Sequence, residues 1–137
     1  MLPSLAHFPL AHLAIAVNSL AEGGALYTAL GFTLGEPEVI SGEHVRAVVA
    51  SKGDLRIELL EAHPAGAGPI AKFIAKRGPG LHHIALRTTQ LDADLATLQA
   101  QHITPLPGYP APGMARTRVA FLNPKTTGGV LIELVEG

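Results

Sequence analysis

"RIELLEA", residues 56–62, comes back near the end of the chain as "LIELVEG", residues 131–137. Each stretch reads I-E-L, then an apolar residue, a glutamate and a small residue. A second pair keeps almost the same spacing. "HLAIAV" (residues 12–17) and "HIALRT" (residues 83–88) both open on histidine and continue as short, largely apolar runs. The histidines stand 71 positions apart, and Glu58 and Glu133 stand 75 apart. Two independent pairs at nearly one spacing indicate a duplicated module.

The segments between these landmarks fill in the module. After "HLAIAV", Ser19 and Glu22 have capping-box spacing, and "LAEGGALYTALGF" follows as a helix stopped by Gly31. After "HIALRT", Thr89 and Gln90 lead into "LDADLATLQAQH", with Leu91, Leu95 and Leu98 along one helical face. Strands are expected at "FTLGEPEVI" (32–40), "HVRAVVAS" (44–51) and "DLRIELLE" (54–61), separated by "SGE" and "KGD" turns. In the second half "ITPLPG" (103–108), "RTRVAFL" (116–122) and "GVLIELVE" (129–136) take the same places. Pro105 and Pro107 confine the first of these to a sheet edge. "GPIAKFIAKRG" (68–78) reads as a short helix between the halves. The expectation is an α+β chain forming one domain over 1–137. It comprises a pseudo-symmetric βαβββ module at about 10–62, a linker helix at about 68–78 and a second module at about 80–137.

Composition narrows the function classes. Hydrophobic residues make up 47% and charged residues 15%, which marks a globular chain rather than a disordered one. Net charge is −1 with no basic face, so nucleic acid is not an expected partner. The absence of cysteine excludes a disulfide framework and thiolate chemistry, and fits a cytoplasmic location. The N-terminal "MLPSLAHFPLAHLAIAV" lacks a basic leader and contains Pro3, His7, Pro9 and His12, so it reads as neither signal peptide nor membrane span.

The repeat assigns faces. Adjacent strand residues point to opposite sides, so His12 lies with Ala14 and Ala16, and His83 with Ala85 and Arg87. His82 then faces away from His83. Glu58 and Glu133 sit inside apolar strands, where a carboxylate is costly unless paired or bound to a metal. A single strand histidine is ordinarily a hydrogen-bonded structural residue, and a strand glutamate can simply face solvent. Matched pairs in both halves instead suggest four ligands: His12, Glu58, His83 and Glu133. Imidazole with carboxylate suits Zn, Fe, Ni, Mn or Co better than calcium.

"HLAIAV", "GPIAKFIAKRGPGLHHIAL" and "NPKTTGGVLIEL" together resemble the methylmalonyl-CoA epimerase family of the vicinal oxygen chelate superfamily, over nearly the whole chain. The resemblance implies an open, cupped mixed β-sheet built from paired βαβββ modules, usually in a homodimer. It implies a divalent metal, Co2+ first and then Mn2+, Ni2+ or Zn2+, on His12, Glu58, His83 and Glu133, and a small-molecule acyl-CoA substrate. Two positions depart from the family pattern. Asn123 stands where the "NPKTTGG" block usually opens with histidine, and Ala47 stands where some members carry a glutamate proposed as an acid/base. "GEHV" resembles a "PEH" or "PEQ" segment of the family, which makes Glu43 and His44 the local replacements.

The implied reaction removes a proton alpha to a thioester and returns it to the other face. Two acid/base groups are therefore expected. Glu133 is the first candidate and Glu43 the second, ahead of His44 and Glu58. Lys125 is a candidate contact for the CoA phosphates, and Arg87 for a substrate carboxylate. The competing readings are a glyoxalase-type isomerase acting on a glutathione hemithioacetal and a non-catalytic binding protein of the same fold. An extradiol dioxygenase fits less well, because the fourth ligand and the short chain count against it.

Overall fold

Strand β1 (Leu10–Ala16) carries the first histidine, and it hands the chain to helix α1 (Leu20–Ala29) through a two-sided cap. Ser19 Oγ accepts from the Glu22 N–H at 3.1 Å, and Glu61 Oε1 accepts from the Leu20 N–H at 2.8 Å. The structure is a computed structural model and describes residues 8–137. The chain continues through β2 (Thr33–Leu34), β3 (Glu38–Ile40), β4 (Val45–Lys52), β5 (Leu55–Ala62), α2 (Gly68–Arg77) and β6 (Gly80–Thr88). It ends with α3 (Leu91–Gln99), β7 (Ala111–Pro112), β8 (Arg118–Leu122) and β9 (Ile132–Glu136). The described residues divide into two units: 12–82, and 83–137 together with 8–11.

In the first unit β1 runs parallel to β5, β5 is antiparallel to β4, and β2 and β3 both pair with β4. One face of this sheet packs on α1 through Val17, Leu20, Val48, Ala50, Ile57 and Leu59. The helix approaches closely because position 23 is glycine. A Cβ there would lie 2.7 Å from Val17 Cγ1. The expected strand over 32–40 is broken in two. Gly35 N–H still donates to Val49 O at 2.9 Å, but Pro37 has no N–H to carry the pairing on, so β2 and β3 contact β4 separately.

The second unit repeats the plan. β6 is parallel to β9, and β8 pairs antiparallel with β9 and β7. Helix α3 covers one face through Leu91, Leu95, Leu98, Ala120, Leu122 and Leu134. Two details differ from the sequence expectation. Residues 103–108 form no strand: Pro105 makes one isolated bridge to Leu122, and Leu106 N–H donates to Phe121 O at 2.8 Å. Prolines at 105 and 107 offer no N–H to continue a ladder, so the edge strand forms later, at β7. The contact that Val17 and Gly23 make by shape is replaced here by a hydrogen bond from Thr88 Oγ to Asp94 Oδ2, both residues being buried. Among the described residues, no helix is long and apolar enough to cross a membrane.

The second glutamate of each repeat has a clear local task. Glu136 Oε2 accepts from the Leu91 N–H at 3.1 Å, as Glu61 does for Leu20. A carboxylate at a helix N-terminus satisfies an otherwise unpaired donor and meets the positive end of the helix dipole. Glu61→Ala and Glu136→Ala should each cost about 1 kcal/mol. Thermal unfolding followed by circular dichroism should show midpoints lowered by a few degrees; unchanged midpoints would remove the capping role.

Candidate metal and substrate site

The ladders decide which side chains share a face. In β1 and β5, Ala14 stands opposite Glu58, and paired residues project to the same side. His12, two residues from Ala14, therefore shares that side, and its Nε2 lies 3.4 Å from Glu58 Oε2. In β6 and β9, Ala85 stands opposite Glu133, and His83 Nε2 lies 3.0 Å from Glu133 Oε1. Each half thus builds its own imidazole–carboxylate pair, with a fully buried alanine beside it that leaves room for the ring. Both pairs lie on the sheet face opposite that unit's helix.

Burial sharpens the chemistry. Glu58, His83 and Glu133 are buried, and His12 is half-buried. Taking a carboxylate out of water costs several kcal/mol unless partners compensate. Nitrogen and oxygen donors are arranged to do so in both pairs, and this donor set is the type that holds a divalent transition metal. The residues fit the group implied by the sequence. The second pair has an aromatic wall. Phe121 stands opposite Glu133 on β8, meets the His83 ring edge-on at 4.9 Å, and is itself met by Tyr109 at 5.3 Å. In the first unit the place opposite Glu58 is taken by Val49.

The remaining candidates are more dispersed. His82 lies on the opposite side of β6 from His83 and packs edge-on against Phe73 of α2 at 5.0 Å. Glu43 closes a single 3-10 turn, Ser41–Glu43, and is half-buried. His44 is exposed in the left-handed region (φ 55), its carbonyl accepting from His63 N–H at 2.9 Å. Gly68 holds that residue from the other side: a Cβ at position 68 would lie 2.5 Å from His44 Cβ. This turn precedes Val45, which pairs with Ala62, whereas Val49 pairs with Glu58. The turn is therefore more than four strand residues, about 13 Å, from the level of Glu58.

Arg87 shares the His83 face but is exposed, opposite Val135 at the far end of β6. Lys125 is exposed in the 3-10 turn Pro124–Thr126. Asn123 caps that turn, its Oδ1 accepting from Lys125 N–H at 3.1 Å. Ala47 is fully buried on the Glu58 side of β4, opposite Leu60 on one flank and Glu38 on the other. Sequence reasoning overlooked Glu38. The signal was available only through register, because "FTLGEPEVI" read as one continuous strand assigns no partner to it.

Residues 11–121 match the model of the Glyoxalase/Bleomycin resistance protein/Dioxygenase superfamily. The ethylmalonyl-CoA/methylmalonyl-CoA epimerase of Cereibacter sphaeroides is 36% identical over 127 residues, covering 90% of this chain and 93% of that protein. The crystal structure of methylmalonyl-CoA epimerase from Mycobacterium tuberculosis superposes with a TM-score of 0.90 at 34% identity, over 99% of this chain and 92% of the other. A Streptomyces coelicolor methylmalonyl-CoA epimerase variant in complex with 2-nitronate-propionyl-CoA gives a TM-score of 0.87 at 32% identity, covering 96% of each chain. A superfamily match over most of the sequence, relatives above 30% identity along nearly full length, and two βαβββ modules each with its own histidine–glutamate pair lead to one assignment. The chain belongs to the methylmalonyl-CoA epimerase family of isomerases and has the α+β vicinal oxygen chelate fold.

Proposed function

We propose that this protein is a metal-dependent epimerase that interconverts (2R)- and (2S)-methylmalonyl-CoA by proton transfer at C2. The observation that carries this reading is the recurrence of one buried imidazole–carboxylate pair in each module, on the face opposite its helix. In this proposal His12, Glu58, His83 and Glu133 are the ligands of a divalent ion, Co2+ first among the metals. Such an ion supplies Lewis-acid charge where negative charge develops on the thioester oxygen. The relatives named as acting on methylmalonyl-CoA support the choice of substrate.

The chain's own residues carry the rest. Glu133, buried in an apolar strand, takes or returns the C2 proton on one side. Phe121 and Tyr109 shield the His83–Glu133 pair from water, which strengthens its electrostatics. A second proton carrier is required for inversion, and Glu43, with His44 beside it, is the sequence-based candidate. Lys125 is assigned to the CoA phosphates and Arg87 to the substrate carboxylate. A homodimer in the cytoplasm completes the proposal.

The decisive experiment follows hydrogen exchange at C2 of methylmalonyl-CoA in deuterated water, with and without chelator. Exchange with inversion should be seen, should disappear when divalent metal is stripped, and should return with Co2+ or Mn2+. A metal-free preparation that exchanges at the full rate would remove the metal from the proposal. Turnover of a glutathione hemithioacetal without C2 exchange would pass the assignment to a glyoxalase-type isomerase. Inertness towards both substrates with no bound metal would leave a binding protein.

A further inference from the structure

The geometry points to Glu38 as a proton carrier on the Glu58 side of the first module, an inference that rests on the epimerase reading above. Inversion at carbon needs a group on each side of the reacting plane, because a fixed carboxylate cannot return its proton to the opposite side. The ladders of β1, β3, β4 and β5 define what the first module can offer. On the face bearing His12, the ionisable side chains of these strands are His12, Glu38, Arg56 and Glu58. His12 and Glu58, 3.4 Å apart, are the pair assigned above to the metal. Arg56 is exposed, and a guanidinium stays protonated and cannot serve as a base. Glu38 is the other carboxylate that these strands place on this face.

Its placement suits the task. Glu38 stands directly across from Ala47, and Ala47 stands across from Leu60, one step along the same face from Glu58. Cross-strand Cβ atoms lie about 5 Å apart, and a methyl at position 47 leaves the space above it to longer neighbours. Ala47 is nevertheless fully buried, so its neighbours do lie over it. Strand spacing and rise put the Glu38 and Glu58 backbones about 12 Å apart on that face. Glu43, beyond the end of β4, lies further along the strand direction.

The duplication supplies an independent argument. In the second module the position matching Glu38 is Ala111, opposite Val119. The fold therefore builds this edge pairing without an acid. The first module places a half-buried carboxylate there and pairs it with the smallest available partner. In the step itself the C2–H bond breaks and its proton passes to one carboxylate. The electron pair moves into the thioester, and a proton from the second carboxylic acid then forms the new C2–H bond on the opposite side. Glu38 is one of these two groups, and no further reactant is consumed.

The test uses the full-length protein with added divalent ion and compares wild type, Glu38→Gln and Glu43→Gln. Each is given (2R)- and (2S)-methylmalonyl-CoA in deuterated water. With Glu38→Gln, one epimer should still exchange its C2 hydrogen within a few-fold of the wild-type rate, while inversion falls at least about 100-fold. Calorimetric binding of propionyl-CoA and the thermal midpoint should be unchanged. Inversion at the wild-type rate overturns the inference, and so does an equal fall of inversion and of both exchanges, or a loss of propionyl-CoA binding. Loss of inversion only in Glu43→Gln transfers the role to Glu43. A wild-type protein that exchanges neither epimer defeats the epimerase reading, and this inference with it.

Discussion

Glu133→Gln should reduce C2 exchange and inversion of methylmalonyl-CoA by about a thousand-fold or more, while the protein stays folded. General acid–base catalysis alone contributes about 100- to 10,000-fold. The amide is nearly isosteric with the carboxylate, so the β6–β9 ladder, where Glu133 faces Ala85, should persist. It cannot accept the C2 proton as a base, and it is a poorer metal donor at a place where His83 Nε2 and Glu133 Oε1 are only 3.0 Å apart. The measurement is the exchange rate at saturating metal, beside metal content and a thermal melt. A fall only in metal content, with exchange restored by excess metal, would confine Glu133 to holding the ion. Full activity in the variant would remove it from the site altogether.

Leu59→Ala and Leu134→Ala should each destabilise the protein by about 3 kcal/mol, within the roughly 2–5 kcal/mol typical of emptying a packed leucine site. These are equivalent positions in the two I-E-L stretches, and both side chains are essentially without solvent contact. Leu59 is packed with Val17, Leu20, Val48, Ala50 and Ile57, and Leu134 with the leucines of α3 and with Ala120 and Leu122. Each projects to the side opposite the glutamate beside it, so each variant tests the helix-facing core and leaves the carboxylate's ladder position alone. Urea unfolding measures the loss. A decrease below about 1 kcal/mol at either position would mean that the helix does not depend on that leucine.

Most of this architecture was legible because duplication and strand periodicity reinforce one another. His12, Glu58, His83 and Glu133 were found from spacing, and their faces from alternation. The registers place Ala14 opposite Glu58 and Ala85 opposite Glu133, which gives both histidine–glutamate pairs. What escaped the sequence depends on pairing between strands distant along the chain. Glu38 looks like either of the two acids in "GEPE" until β3 is registered against Ala47. The capping by Glu61 and Glu136 spans 41 and 45 residues, beyond any local motif. The missing strand at 103–108 shows the limit of the repeat itself, since prolines withhold the donors that the first module uses at the corresponding edge.

The unlike seams under the two helices have a consequence for grafting one half onto the other. One copy closes the gap with a bare α-carbon against a branched side chain, Gly23 on Val17; the other uses an acid and an alcohol, Asp94 and Thr88. Neither solution survives half a change. An aspartate set against valine would have no donor and no space, and a glycine set against threonine would leave the hydroxyl, which still accepts from the Gln90 N–H, without an acceptor for its proton. Any hybrid that exchanges one half's helix for the other's therefore has to carry the matching strand terminus with it.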